Sequence, residues 1–224
     1  MLCQGMILEE ISVASLSAGG GRFFLGDDCS LVAKWVKLIL LPPTSMATNN
    51  IVTVNITDKL YTEAEQRNQK YYDKFGQSGT HRTNKHRQRM TGYLAEACIK
   101  NTFPALQYSD NLAVDFIYEG ASLDSKAQGC NSKPLVTYAA TLYAEQKNRD
   151  ADYYIFSRVK NDFTKCWICG IISKPKFFKI AQLKPAGNIT NNFIYDQSRY
   201  EIEYKDLRGV DEFIAWHEKS LLCH

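Results

Sequence analysis

Three charged side chains in the middle of the chain have the types and spacing of a metal-assisted hydrolytic site. Asp115 stands in one apolar segment, and Asp124 and Lys126 stand two positions apart in the next. Side chains two apart on a strand project from the same face, so Asp124 and Lys126 should lie together. Two carboxylates and a backbone carbonyl offer the oxygen ligands that Mg²⁺ or Mn²⁺ prefers. With a lysine to stabilise or help generate the attacking hydroxide, these residues indicate phosphodiester hydrolysis.

A hairpin must bring these side chains together. Residues 112–118 and 121–127 are strand candidates, and Glu119-Gly120 between them is a turn signal. Glu119 could serve as an alternative ligand, although its place beside Gly120 indicates a turn. Other alternating or β-branched segments predict further strands at 51–56, 105–108, 152–159, 166–172 and 200–204.

Helical spacing of apolar residues predicts the elements that surround this hairpin. In residues 90–99, Met90, Tyr93, Leu94, Ala97 and Cys98 make one apolar face, so a helix should pack there on a sheet. Leu135, Ala139, Leu142 and Tyr143 indicate a longer helix. The predicted helices are 62–75, 90–99, 135–148 and 209–220.

These residues resemble the restriction-endonuclease-like PD-(D/E)XK nucleases over roughly residues 88–172. Asp115 matches the first metal-binding aspartate, Asp124 and Lys126 match the (D/E)xK triplet, and Glu96 resembles the acidic residue that many members carry on the first helix. Val114 stands where the motif has proline. The resemblance implies an α/β fold with an αβββαβ core, a mixed central sheet flanked by helices. It also implies metal binding by Asp115, Asp124 and Glu96 and a catalytic role for Lys126.

A basic stretch precedes the Glu96 helix and is the best candidate for contacts with phosphates. It contains Arg82, Lys85, Arg87 and Arg89, which could neutralise backbone charge without recognising a base sequence. Runs of charge are more often solvated faces, so that interpretation stays open. Gln128 should share the face of Lys126 and could position water or phosphate, or it could be a polar residue at a strand end.

Structural interpretations compete with the chemical ones. Asp115 and Lys126 could form a salt bridge across a hairpin, and Glu96 could be a solvated helix residue. However, Val114, Phe116 and Leu123 flank the acids with apolar side chains. Carboxylates in a half-buried sheet are costly unless they are paired or bind a metal. Cys166-Trp167-Ile168-Cys169 has no second pair at zinc-ligand spacing and is interpreted as strand.

Composition and charge limit which partners and which cellular compartment are expected. The chain of 224 residues has a formal charge of +3, which permits nucleic-acid binding without requiring it. Seven scattered cysteines indicate thiols in a reducing compartment. No apolar run is long enough to cross a bilayer and no export signal is evident, so a cytoplasmic protein is expected. Residues 1–45 differ from the rest and are interpreted as an uncertain N-terminal extension before a domain over 46–224.

The sequence thus predicts a metal-dependent nuclease that acts on DNA with Mg²⁺ or Mn²⁺, with RNA as a substrate not excluded and a homodimer left open. By analogy, the size and the lack of helicase or ATP-binding motifs suggest a stand-alone or accessory nuclease of phage type. One rival is a catalytically silent nuclease-fold protein that binds nucleic acid or a protein partner. Another is a structural or assembly protein whose acids are incidental.

Overall fold

The computed structural model describes residues 51–75, 83–110, 113–190 and 193–221. The predicted N-terminal extension over residues 1–45 and the predicted phosphate contact Arg82 lie outside these ranges. Lys85 falls within a described helix, but its side chain is not among the described ones. The fold is mixed α and β, as predicted.

Six strands form a mixed central sheet in the order β1-β7-β6-β4-β3-β2. β4 and β6 run parallel, and the other neighbouring pairs are antiparallel. The strands are β1 (Val52–Asn55), β2 (Gln107–Tyr108), β3 (Phe116–Tyr118), β4 (Ala121–Cys130), β6 (Tyr153–Lys160) and β7 (Lys165–Ser173). All six were predicted from alternation, from flanking turn signals or from β-branched and aromatic content, with boundaries that differ by a few residues.

Three helices cover one face of this sheet. They are α1 (Asp58–Phe75), α2 (Thr83–Thr102) and α4 (Val210–Leu221). Met90, Leu94 and Cys98 of α2 are buried at the predicted spacing, in one apolar cluster with Leu123 and Ile155 of the sheet. Burial of this apolar face holds α2 on the sheet.

The opposite face is covered by a small second sheet and a short helix. The second sheet has the order β5-β11-β8, with β5 (Ala139–Tyr143), β8 (Gln182–Lys184) and β11 (Arg199–Glu203). The short helix is α3 (Lys174–Ile180), whose Phe177 packs with Tyr154 and Phe156 of β6. β9 (Ile189–Thr190) and β10 (Phe193–Ile194) form a separate hairpin.

The helix predicted over residues 135–148 is wrong. This stretch is β5 followed by a 3₁₀ helix, Ala144–Asn148. Ala140 and Leu142 are buried while their neighbours are not, which is the period-two burial of a strand. Pairing with β11, more than fifty residues later in the chain, overrides the helical propensity of the alanines and could not be predicted from local spacing.

One structural interpretation from the sequence is confirmed. Cys166 and Cys169 lie buried in β7, so the CxxC is part of a strand. Gly170, which follows Cys169, has a φ of 137°. A Cβ at this position would lie 2.6 Å from the Arg208 carbonyl oxygen. Only glycine lets β7 approach that backbone. None of the described helices is long and apolar enough to cross a membrane.

Candidate metal and phosphate site

A two-residue turn places Asp115 beside Asp124. Glu119 and Gly120 both have positive φ, 47° and 77°, and join Tyr118 to its partner Ala121. Two successive positive φ values are typical of the type I′ turns that fit the twist of a hairpin. With Phe116 paired to Leu123, the residues one step further from the turn are Asp115 and Asp124. The predicted meeting of the two aspartates at a hairpin is confirmed.

The backbone strands separate where Asp115 lies. The Asp115 amide still donates to the Leu123 carbonyl at 3.0 Å, but its carbonyl accepts from the Ser109 amide. The Ser125 amide donates instead to Asp115 Oδ2 at 2.7 Å. This bond fixes the Asp115 carboxylate against β4, next to Asp124.

Like charge accumulates at this point. Burial, and then the nearby Asp124 carboxylate, raise the pKa of Asp115 to about 6, although the Ser125 amide and Lys126 oppose the shift. Asp115 and Asp124 occupy neighbouring positions on adjacent strands, so each carboxylate lies in the field of the other. Two carboxylates this close favour either a shared proton or a bound cation.

Asp124 is 3% exposed and forms an ion pair with Lys126, with Nζ 2.7 Å from Oδ2. The pair confirms that the two side chains share a face of β4. Within the described residues Asp124 Oδ2 is buried and makes no hydrogen bond of good geometry besides this ion pair. The cation beside Asp124 is therefore Lys126, and the ion pairs among described residues do not include a salt bridge from Lys126 to Asp115.

Glu96 approaches from α2 and is held by an arginine of α1. Arg67 Nη2 donates to Glu96 Oε2 at 2.5 Å, and the Arg67 guanidinium carbon lies 3.7 Å from the centroid of the Tyr108 ring. Tyr108 in turn donates from its hydroxyl to Glu63 at 2.8 Å. Glu96 is thus buried and paired, in contrast to the alternative of a solvated helix residue.

The electrostatics connect Glu96 to the aspartates. Burial, then the charge of Asp115, and more weakly Asp124, raise the pKa of Glu96 to about 8, and Arg67 only partly offsets them. The charges of Asp115 and Asp124 therefore act on Glu96. A role for Glu96 as a direct metal ligand stays a prediction.

Two tyrosines border the acids and were not predicted. Burial and then Glu96 raise the pKa of Tyr93, and Asp115 adds to the shift. Tyr154 is paired in register with Asp124, and burial followed by Asp124 raises its pKa to about 12. Arg67 was also missed. An isolated arginine or tyrosine in a helix or strand carries no sequence signal that distinguishes it from its neighbours.

The arginines predicted to contact phosphates make hydrogen bonds and ring contacts with other parts of the chain. Arg87 donates to the Asn161 carbonyl and lies over the Phe163 ring. Arg89 donates to the Tyr72 hydroxyl and lies 4.5 Å from the centre of that ring. The described arginines of the basic stretch are thus engaged within the chain.

Gln128 lies two residues beyond Lys126 on β4. Its amide donates to Thr141 Oγ1 of β5 at 2.5 Å, so it ties the central sheet to the second sheet. This contact occupies one amide hydrogen and places Gln128 between two elements. Its predicted role toward nucleic acid stays a prediction.

The donor set suits a hard cation held by few protein ligands. Within the described residues, no three histidine, cysteine or acidic side chains converge as a ligand set. The carboxylates that lie together are those of Asp115 and Asp124, and Mg²⁺ is usually bound through one or two carboxylates while it keeps several waters. The buried Asp124 oxygen and the raised pKa of Asp115 are both consistent with such a cation.

Comparison with known proteins adds no family to this geometry. A scan against protein-family models finds no match, and a search of the curated proteins finds none either. The resemblance to PD-(D/E)XK nucleases therefore rests on the residues of this chain.

Proposed function

We propose that this protein is a metal-dependent nuclease that hydrolyses the phosphodiester bonds of DNA. The observation that carries the proposal is the convergence of Asp115 and Asp124 from adjacent strands beside the Lys126 ammonium. Glu96 adds a third acid to the same electrostatic environment. Burial of so much like charge is costly and is explained by a cation and a phosphate that complete the site.

Each side chain then has a distinct task. Asp115 and Asp124 would hold Mg²⁺ or Mn²⁺, with Asp115 oriented by the Ser125 amide. A bound divalent cation supplies positive charge that polarises the scissile phosphate. Lys126 donates hydrogen bonds to the oxygens on which negative charge develops and stabilises the attacking hydroxide. Glu96, oriented by Arg67, would add negative charge once a bound cation displaces its proton.

The element order supports a variant of the restriction-endonuclease-like core. α2 precedes the antiparallel strands β2, β3 and β4, and β6 then lies parallel to β4. In the family pattern a second helix connects the last two strands. Here β5 and a 3₁₀ helix occupy that connection, so we propose the nuclease core with a substituted crossover.

The test is cleavage of supercoiled plasmid, linear DNA and RNA with Mg²⁺, with Mn²⁺ and with EDTA. Asp115→Asn and Asp124→Asn keep the side-chain shape and remove the charge. A matched control is Asp162→Asn, because Asp162 also pairs with a lysine two residues away, Lys160, but in an exposed turn. Metal-dependent cutting that the first two variants lose by about 100-fold or more, and that the control retains, is the expected result.

Other outcomes would favour the rival functions. Intact DNA and RNA in every condition, with salt-dependent binding of the protein to them, would favour a silent binding protein of nuclease fold. Neither cleavage nor binding would favour a structural protein. Cutting that Asp124→Asn retains would overturn the assignment of the site.

A further inference from the structure

The connection between β4 and β6 returns to the sheet beside the candidate site. The Ser122 amide of β4 donates to Asp152 Oδ2 at 2.9 Å, and the Lys174 amide donates to the Asp152 carbonyl at 2.8 Å. Ser122 precedes Asp124 by two residues. The end of the crossover and the start of α3 therefore lie at the same end of the sheet as Asp124.

Tyr154 connects the segment that contains Arg149 to the candidate site. The Tyr154 hydroxyl donates to the Gln146 carbonyl of the crossover at 3.5 Å. Asp124 raises the pKa of Tyr154 and Arg149 lowers it, so both charges act on the same hydroxyl. The side chain of Arg149 is exposed, whereas Asp124 is buried. Positive charge thus stands on the surface next to the buried carboxylate.

Two further cations extend this surface. Lys147 Nζ lies 5.8 Å from the centroid of the Phe178 ring and 5.9 Å from that of Tyr200, and the two rings pack edge to face. The Lys174 ammonium donates to the Arg149 carbonyl. We call the set Lys147, Arg149, Lys174, Phe178 and Tyr200 the crossover surface.

The cations of the crossover surface have no acidic partner within the described chain. The ion pairs found among described residues do not involve Lys147, Arg149 or Lys174. The acids of the same segment are Glu145 and Asp150, both exposed, and Asp152, which is bound to Ser122. Arg87 and Arg89 of the basic stretch before Glu96 are also absent from these ion pairs, but each donates a hydrogen bond to another part of the chain, as Lys174 does.

We propose that the crossover surface binds the phosphate backbone of a nucleic-acid strand and leads it to Asp124 and Lys126. This inference rests on the proposed function and names the surface through which its substrate arrives. Backbone phosphates fit because unpaired cations attract them without reading bases. The rings of Phe178 and Tyr200 are half-buried beneath Lys147, so they orient the cation rather than stack on bases.

The experiment measures binding apart from cleavage. Fluorescence anisotropy in EDTA gives the Kd of the full chain for a labelled single-stranded DNA and for the same sequence as a duplex, at several salt concentrations. The test variant is Lys147→Gln/Arg149→Gln/Lys174→Gln. The control is Lys59→Gln/Lys70→Gln/Lys165→Gln, which removes three exposed cations that have no ion pair among the described residues, so both lose the same charge.

The proposal expects the Kd of the test variant to rise about 10-fold or more, and the slope of log Kd against log salt to fall by about 2 to 3. The control should change the Kd by less than about 2-fold. An equal loss on the single strand and the duplex identifies the shared backbone as the ligand, and a loss on one of them identifies the form that binds. Unchanged thermal unfolding shows that the variants are folded, and Arg149→Gln alone serves if the triple variant is not.

Three results would overturn the proposal, and the first two are distinguishable from failure of the nuclease function. If the wild-type chain cuts DNA but the test variant binds as tightly as wild type, the surface assignment fails and the function stands. If test and control lose affinity equally, binding depends on overall charge and the surface is not a specific track. A wild-type chain that neither binds nor cuts removes both proposals together.

Discussion

Two buried carboxylates in this protein are each paired with a cation, and the two pairs are built differently. Glu96 of α2 meets Arg67 of α1, 29 residues earlier in the chain, and Arg67 also covers the Tyr108 ring. Asp124 meets Lys126 two residues further along the same strand. The first pair connects separate elements, and the second connects none.

This difference suggests separate roles, with the Glu96 pair stabilising the fold and the Asp124 pair belonging to the candidate site. A pair that joins two helices contributes to their packing, so its loss should weaken the fold. A pair within one strand contributes little to the arrangement of the fold, yet Lys126 and Asp124 lie beside Asp115, where charge is concentrated. If the proposed function holds, Lys126 acts on the ligand of the site, whereas Arg67 orients Glu96.

The largest expected effect comes from breaking the pair within the strand. Lys126→Met keeps most of the apolar stem and removes the ammonium. If the proposed function holds, cleavage should fall about 100- to 1,000-fold, because the developing negative charge loses its donor. Single-turnover cleavage with saturating Mg²⁺ measures this loss apart from product release.

The fold should tolerate that change when a cation is present. Removal of the ammonium leaves Asp124 beside Asp115 without its counter-charge, so the variant should be less stable in EDTA. Mg²⁺ or Mn²⁺ should restore the unfolding midpoint, because the cation binds the folded state and not the unfolded state. A midpoint that does not respond to either cation would contradict metal binding at these aspartates.

Breaking the pair between helices should act on stability instead. Arg67→Met leaves Glu96 buried without its partner and, measured above pH 8 where Glu96 is ionised, should lower the free energy of unfolding by about 3 kcal/mol. The double variant Arg67→Met/Glu96→Gln should recover part of this loss, because no uncompensated charge remains. Urea unfolding of the four chains in a double-mutant cycle gives the coupling, and additive effects would mean that the two side chains act independently.

The acids also predict a pH dependence of stability. The pKa of Asp115 is about 6 and that of Glu96 about 8, whereas both are near 4 in an unfolded chain. Between about pH 4 and pH 8 the folded state therefore binds more protons, so stability should fall as pH rises, by up to about 1.4 kcal/mol per pH unit for each group that differs fully. Below about pH 4 this dependence should cease.

Urea unfolding at a series of pH values measures that slope. Glu96→Gln should flatten it, most clearly between pH 6 and 8, since the amide does not titrate. Mg²⁺ should stabilise the wild-type chain more at pH 8 than at pH 5, because protons compete with the cation for the carboxylates. A stability that rises with pH across this window would show that the acids are ionised in the folded chain without cost.

The pair between Asp124 and Lys126 could be predicted from the sequence, whereas the pair between Glu96 and Arg67 could not. Asp124 and Lys126 are two apart on a strand, and Asp115 lies across a turn that contains Gly120, so strand periodicity and the turn glycine were enough to predict that these residues lie close together. Arg67 reaches Glu96 only because α1 packs on α2. No spacing within either helix records which arginine will face which acid.

The same limit explains the error in the fold. The central sheet could be predicted because its strands carry local signals, either alternation or β-branched and aromatic residues, but residues 135–148 become a strand by pairing with β11. Local propensity was ambiguous there, and distant pairing decided the outcome. The engagement of Arg87 and Arg89 within the chain was equally hidden, since a run of charge does not reveal its partners.

The smallest expected effect comes from a third ion pair, which has the same two-residue spacing as Asp124 and Lys126 but is exposed to solvent. Lys160 and Asp162 are also two residues apart, 2.5 Å from each other, but the Asp162 side chain is 50% exposed in the turn between β6 and β7. The Lys160 and Thr164 side chains lower the pKa of Asp162 to about 2, yet solvent screens a pair in this position. Lys160→Met should therefore leave cleavage and the urea midpoint unchanged within error. If it instead reduced either as much as Lys126→Met, an ion pair at this spacing would matter for strand structure in general, and the case for Lys126 as a residue of the reaction would lose its support.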